Sequence, residues 1–355
     1  MLLAHKIRFY PTSLQKEKLA QSFGNNRWYW NQLLANAKLP KDDRKQIRYS
    51  ELKADNEWLK LAEAQGYANT EMHFRQAFKN MKANKKFRFP KFKSKHSKQS
   101  YTTCQPGKLV GKSLSLAKIG KIKLAQELRY DGRIKSVTIS KNCADEYYCS
   151  FLVETQPTVL ETTGAIIGLD MGLIDFISDS NGNKIPNPRI ANENERVKKY
   201  QRLLARKQKG SNNRAKARVK LAKAYQRNTN KRKDFLHKLS KKYINENQII
   251  CIETLRVKNM MKNHNLARSF GYTAISKFIE MLKYKANMYG RQIIQVPTLY
   301  PSSQICNICQ TKDKPKQLNI REWVCPTCGA ILDRDYNAAM NILTAGIAEI
   351  ACCQQ

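Results

Sequence analysis

Residues 165–183 read AIIGLDMGLIDFISDSNGN. The first five are uncharged, and the run closes on Asp170. A short apolar run of this kind reads as a strand buried on both faces. The next run, IDFISDS, reads as its neighbour, and the NGN at 181–183 as the hairpin turn that follows. Asp170 sets the question, because a carboxylate closing a buried strand is costly unless it meets a partner or a metal. The bland alternative is a turn in which it accepts backbone bonds before Gly172.

The same pattern returns downstream. Residues 246–253, ENQIICIE, form a second buried run that ends on Glu253. A helix is expected over 274–289, then a strand at RQIIQVP (291–297). The chain closes with DRDYNAA (333–339) leading into a helix from about Tyr336 to Ile350. Read singly, Glu253 could be a solvated strand end, and Asp333 or Asp335 a helix N-cap. Taken together, two acids at carboxyl ends of core strands and one at a helix start could meet at one sheet edge. Three carboxylates make a hard-oxygen site for Mg²⁺ or Mn²⁺. Such ions can clamp a phosphodiester and activate the attacking water.

Between the last strand and the last helix stands Cys306-x2-Cys309, then 15 residues, then Cys325-x2-Cys328. Two residues between cysteines form a knuckle that points both thiolates at one metal, and two knuckles close a tetrahedral zinc site. With four thiolates no position is left for water, so the expected zinc is structural. Cys104, Cys143, Cys149, Cys251, Cys352 and Cys353 have no ligand spacing and read as ordinary thiols.

The chain has 355 residues, room for two or three domains. It carries 65 Lys and Arg against 28 Asp and Glu, a net charge of +37. That excess repels itself unless a polyanion neutralises it, and nucleic acid is the polyanion to expect. No apolar run approaches the ~18 residues of a membrane-spanning helix. The opening MLLAHKIRFYPT lacks a signal-peptide core, and ten cysteines without such a signal argue for a reducing, cytoplasmic setting. Between Arg196 and Lys242 stand 19 Lys or Arg and one acid, Asp234, in a long helical pattern. A one-sided run of this length reads as an interaction surface, with Arg214, Arg218 and Arg232 as candidate contacts.

The first half is patterned differently. HKIRFYP (5–11) reads as a strand stopped at Pro11, and Thr12 with Gln15 as a capping box opening a helix. More helix follows over 49–83. Residues 85–103, KKFRFPKFKSKHSKQSYTT, alternate basic and aromatic side chains, which suits a phosphate-tracking surface with stacking groups. Lys91, Lys93, Tyr101 and Thr102 within this stretch, and Gln76 and Asn80 in the helical segment before it, are the candidate nucleic-acid contacts. SLSLAKIGKIKL, IKSVTIS and EYYCSFLVE then read as strands of a small antiparallel barrel, completed by the first strand.

The succession GLDMGL, CIETL, four-cysteine knot and DRDYNAA resembles the split RuvC nuclease domain of the TnpB family. These are the OrfB-type proteins of bacterial insertion sequences, relatives of compact type V CRISPR effectors. KIRFYPTSLQ, RFPKFKSKHSKQSYTT and LYPSSQICNIC are similar as well, so the resemblance covers nearly the whole chain. It implies a mixed α/β multidomain fold. A wedge β-barrel would comprise 1–11 and 98–160, with a helical recognition insertion at 12–97. A ribonuclease-H-like RuvC domain would comprise 164–304 and 332–355, with a basic helical insertion at 196–245 and a zinc ribbon at 305–331. The implied activity is RNA-guided, Mg²⁺- or Mn²⁺-dependent DNA cleavage beside a short target-adjacent motif. The implied partners are a guide RNA from the element's own end and double-stranded DNA, bound by one protein per RNA in the bacterial cytoplasm or on the nucleoid. The catalytic set carried over is Asp170, Glu253 and Asp335, the last preferred to Asp333 because it directly precedes the x-Asn-Ala-Ala run. Arg334 is assigned to a phosphate and Asn337 to support of the metal. Two alternatives stand beside this reading: a guided regulator without cleavage, and a transposase acting directly on element ends.

Overall fold

The computed structural model describes residues 1–96, 98–188, 191–255, 274–298, 300–317 and 320–353, leaving out the side chains of 191–194, 352 and 353. The chain forms two compact units: Met1–Gln156 with Lys207–Lys223, and Pro157–Arg206 with Ala224–Gln355.

In the first unit, β1 (Leu2–Phe9) alternates exposed and buried residues, so Leu3, Ile7 and Phe9 face a core. It pairs antiparallel with β7 (Tyr147–Glu154), Leu2 opposite Glu154 and Phe9 opposite Tyr147. With β6 (Arg133–Lys141) and β2 (Gln99–Thr103) the order is β1-β7-β6-β2. The strands β3 (Leu109–Val110), β4 (Ser113–Leu116) and β5 (Gly120–Lys123) form a separate antiparallel sheet.

The expected closed barrel is not found among the described residues. One isolated bridge, Phe9 to Leu124, and the Ala125 N–H to Arg8 carbonyl bond (2.8 Å) link the sheets on one side. On the other side β2 stops at Thr103 and β3 is two residues long, too short a ladder to close the ring. Inserted after β1 are α1 (Ser13–Lys38), α2 (Tyr49–Asp55) and α3 (Ala64–Ala83). The expected capping box is present: Gln15 N–H reaches Thr12 Oγ1 at 3.3 Å, and Thr12 N–H reaches Gln15 Oε1 at 3.0 Å. The helical pattern expected over 49–83 is realised as α2, a 3-10 turn at Glu57–Leu61 and α3.

The second unit is built on β8 (Ile166–Asp170), β9 (Asp175–Asp179), β10 (Lys184–Pro186), β11 (Ile249–Glu253) and β12 (Gln292–Val296), in the order β10-β9-β8-β11-β12. β11 runs parallel to both its neighbours, whereas β8, β9 and β10 form an antiparallel meander. The chain therefore leaves β8 toward one edge and β11 toward the other. The crevice at their carboxyl ends is a topological switch point, where open α/β sheets bind ligands.

The helices are α4 (Ala191–Ala205), α5 (Asn212–Glu246, which contributes to both units), α6 (Ile275–Tyr289) and α7 (Arg334–Cys353). Ile167, Leu169, Phe176, Ile250 and Ile252 pack with Tyr243 of α5 and Phe278 of α6. The helix α7 lies against the sheet where two glycines leave room. A Cβ at Gly168 would run into the Ala339 carbonyl and come 2.8 Å from Leu343 N; one at Gly346 would strike Cys251. The hairpin β13 (Glu322–Val324) and β14 (Ile331–Asp333) leads straight into α7. Among the described residues no helix is long and apolar enough to cross a membrane.

Candidate functional site

Asp170 closes β8 and Glu253 closes β11, and the parallel register pairing Leu169 with Ile252 sets the two acids side by side. Asp335 lies in the first turn of α7. All three belong to the second unit. Burial of the Asp170 carboxyl, then the charges of Glu253 and Asp335, push it up to about 8, against the pull of the Met171 N–H and the Arg334 charge. Burial also raises Glu253, opposed by a hydrogen bond from Ser302 Oγ to its Oε1. Two neighbouring buried acids that resist ionisation are a donor pair that would gain from a hard dication such as Mg²⁺ or Mn²⁺.

The two acids of the Asp-Arg-Asp stretch face different neighbours. Asp333 is the N-cap of α7: its Oδ1 accepts the Tyr336 N–H at 2.9 Å, and its Oδ2 pairs with Lys184 Nζ at 2.6 Å. Burial would raise its carboxyl, but the Lys184 hydrogen bond and the Tyr336 N–H hold it below the usual range. Asp335 pairs with Arg321, 3.1 Å from Oδ2 and 3.3 Å from Oδ1, and it is the one whose charge reaches Asp170. The helix begins two residues earlier than the sequence pattern indicates, because Asp333 caps it.

The cysteines assemble as their spacing predicts. Cys306, Cys309, Cys325 and Cys328 bring their sulfurs within 4.8 Å of one another, the only such group of metal-ligating side chains among the described residues. The Cys306–Cys328 and Cys309–Cys325 sulfurs are 3.7 and 3.6 Å apart. Four thiolates around one zinc at about 2.3 Å stand about 3.8 Å apart, so the donor set fits the ion. The knuckles repeat one pattern: Gln310 N–H to the Cys306 carbonyl and Gly329 N–H to the Cys325 carbonyl, each 2.9 Å, with Gln310 and Gly329 at φ 58° and 72°. Bonds from the Thr311 side chain and backbone pull Cys309 down to about 6, and the Cys328 N–H lowers Cys325. At Cys328 the Ala330 N–H pulls the same way, yet burial and the other three sulfurs push the thiol up to about 12, a crowding of charge that a dication relieves.

The other sequence candidates lie in varied surroundings. Tyr101 is 4% exposed, packed in the core of the first unit, and so does not present its ring to a base. Thr102 is half-buried with its hydroxyl 2.9 Å from that of Thr138. Gln76 and Asn80 are exposed and bond to each other along α3 (2.8 Å). Lys91 and Lys93 are both exposed; the Lys93 ammonium lies over the Trp30 ring at 3.6 Å, and partial burial there lowers it to about 8. Arg218 is exposed on α5, Arg232 is half-buried there, and the Arg214 guanidinium donates to the Lys207 carbonyl at 2.7 Å. Arg334 Nη1 donates to the Gln317 carbonyl at 2.8 Å. Asn337 is fully buried and bonds to backbone, not toward the acids.

Sequence reading missed Ser302, Arg321, Lys184 and Asn341. The i, i+4 pair Asn337 and Asn341 on an otherwise apolar stretch was the one signal available. Among the described residues every cysteine is free; Cys149 and Cys251 are buried, Cys104 and Cys143 exposed, and the Cys352 and Cys353 side chains lie outside the described set.

Comparison with known proteins places the chain. The family model OrfB_IS605, described as a probable transposase, matches residues 150–264. The Cas12f1-like TNB domain matches 276–342, and the helix-turn-helix domain HTH_OrfB_IS605 matches 1–39, which here form β1 and the single helix α1. A protein of Streptomyces pristinaespiralis, named as a candidate RNA-guided DNA endonuclease, is 36% identical over 98% of this chain and 90% of its own length. The similarly named InsQ of Escherichia coli is 27% identical over 99% of this chain and 94% of its own. A solved Cas12f1–sgRNA–target DNA complex aligns over 97% of this chain and 99% of its own at 13% identity and a TM-score of 0.39, a distant likeness. By the extent of its match to the first of these relatives, the chain belongs to the TnpB family of OrfB-type insertion-sequence proteins.

Proposed function

We propose that the chain is an RNA-guided DNA endonuclease whose RuvC-type site consists of Asp170, Glu253 and Asp335. One observation carries the reading. Asp170 and Glu253 close adjacent strands at the switch point of one sheet, and Asp335, at the start of α7, adds its charge to burial and to Glu253 in pushing Asp170 up to about 8. The names of the relatives support the same activity. Bound there, Mg²⁺ or Mn²⁺ would lower the pKa of the attacking water and stabilise charge on the reacting phosphodiester.

The chain's own residues do the rest. Strands β8 and β11 hold two carboxylates in place, because Asp170 is paired with Ser178 of β9 and Glu253 with Val296 of β12. Asp333 and Lys184 fix the start of α7 and with it Asp335. The four cysteines, holding zinc, order the segment between β12 and α7. The net charge of +37 draws a guide RNA and a DNA duplex, and α5 offers Arg218 and its basic neighbours to phosphate. The proposed setting is the bacterial cytoplasm, on DNA.

The test is cleavage. The chain is purified with the RNA that accompanies it, that RNA is sequenced, and a matched duplex is offered with Mg²⁺. Cutting that needs both RNA and metal, and is lost in Asp170→Ala with duplex binding retained, is the expected result. RNA-dependent binding without cutting by the parent chain would mark a guided regulator, and strand transfer independent of RNA a direct transposase.

A further inference from the structure

The loop between β12 and the cysteine knot carries a contact that the catalytic reading leaves unexplained. Ser302 is 6% exposed and donates its hydroxyl to Glu253 Oε1. Behind it, α7 presents two fully buried asparagines one turn apart, Asn337 and Asn341. Asn341 Nδ2 bonds the carbonyls of Ser302 (2.8 Å) and Ile305 (2.6 Å). Asn337 Nδ2 bonds the Ile305 carbonyl (2.7 Å), and its Oδ1 accepts the Asn307 N–H (2.9 Å). The Asn341 Oδ1 has no hydrogen-bond partner among the described residues. A buried amide left half satisfied costs stability that an apolar side chain would not, so a helix selected only for packing would not place it here.

We propose that Ser302 is a positioning residue for Glu253, held by the Asn337–Asn341 pair so that the helix carrying Asp335 and the strand carrying Glu253 are locked to one loop. This rests on the nuclease reading of the site. The hydroxyl occupies Oε1 and fixes the carboxylate's rotation, which leaves Oε2 to meet a divalent cation without first losing conformational freedom. Partners standing behind metal ligands in this way affect metal affinity by about 10–100-fold when removed.

The test uses the full chain copurified with its RNA, in the absence of target DNA. Mn²⁺ binding is read by electron paramagnetic resonance, and the site's ion is counted as the one lost in Asp170→Ala. Ser302→Ala is expected to weaken that binding about tenfold, with zinc content and melting temperature unchanged. Ser302→Thr, which restores the hydroxyl, is expected to recover it. Asn341→Leu keeps Ser302 but removes the bonds behind it, and is expected to weaken binding in the same direction. Unchanged Mn²⁺ binding in Ser302→Ala or in Asn341→Leu, or a Ser302→Thr no better than alanine, overturns the proposal. If Asp170→Ala itself loses no ion and still cuts, the nuclease reading fails instead, so the two failures are distinguishable.

Discussion

The cysteine knot and the carboxylate edge are both sites of clustered ligands, yet they are built in opposite ways. The knot comes from 23 consecutive residues, Cys306 to Cys328, and its four sulfurs already lie within 4.8 Å of one another. The carboxylate edge comes from β8, β11 and α7, and its acids do not form such a group; Asp335 is held by Arg321 instead. Backbone N–H groups aimed at the sulfurs lower Cys325, whereas burial raises Asp170 and Glu253, and neighbouring carboxylate charge raises Asp170 further. The knot is prepared for its ion by local chain geometry. The acids pay for their proximity and depend on the rest of the fold to keep them together.

That contrast is open to being broken. The largest effect is expected from Asp170→Ala, which should lower cutting by about 10³-fold or more, since metal stabilisation supplies several kcal/mol. Its zinc content should stay at the parent value; a chain that loses zinc as well would mean the two sites are not separately built. Conversely, Cys306→Ser should empty the zinc site and expose residues 306–333 to proteolysis, with a lower melting temperature, because a structural zinc contributes directly to folding. Zinc retained at parental stoichiometry after that change would contradict the four-thiolate assignment.

Asp170 provides a pH signature. Its carboxyl is raised from 3.8 to about 8 in the folded, metal-free chain. A raised folded pKa makes the native state bind the proton more tightly than the unfolded state does. The stability it contributes is therefore present at low pH and lost as pH rises from about 4 through about 8. Without divalent metal, Asp170→Asn should be less sensitive to pH than the parent across that window, in calorimetric melts. Parallel curves would show that Asp170 is not strained by its neighbours.

Smaller effects probe the scaffold. Gly168→Ala puts a methyl group into the Ala339 carbonyl, which should cost about 1–3 kcal/mol in denaturant unfolding. The smallest is Asp333→Ala, which removes an N-cap for about 1 kcal/mol while cutting persists. If Asp333→Ala abolished cutting and Asp335→Ala did not, the assignment of the third acid would be reversed.

Much of this was legible beforehand where one stretch of chain determines the outcome. Uncharged runs ending on Asp170 and Glu253 became adjacent parallel strands, since a buried strand is recognisable from its own residues. The 181–183 turn, the Thr12–Gln15 cap and the cysteine knuckles formed as read, each being a matter of a few neighbouring residues. The barrel did not close, because closure depends on how far separate strands extend along one another, here β2 and β3. Tyr101 sat in an aromatic and basic stretch, but period-2 alternation in β2 turned it inward against Phe23.

By itself the sequence determined the four-cysteine cluster, the buried strands, the acids at their ends and the strongly basic balance of the chain, because spacing and net charge are properties of neighbours and of sums. Only the tertiary structure decided how the two acids of the Asp-Arg-Asp stretch divide their work. Asp333 caps α7 and meets Lys184, 149 residues away, while Asp335 shares the field of Asp170. The same holds for Ser302, whose hydroxyl meets a carboxylate 49 residues upstream. A charge's role is set by what lies a few ångströms from it, and in a sheet of mixed direction those neighbours come from distant parts of the chain.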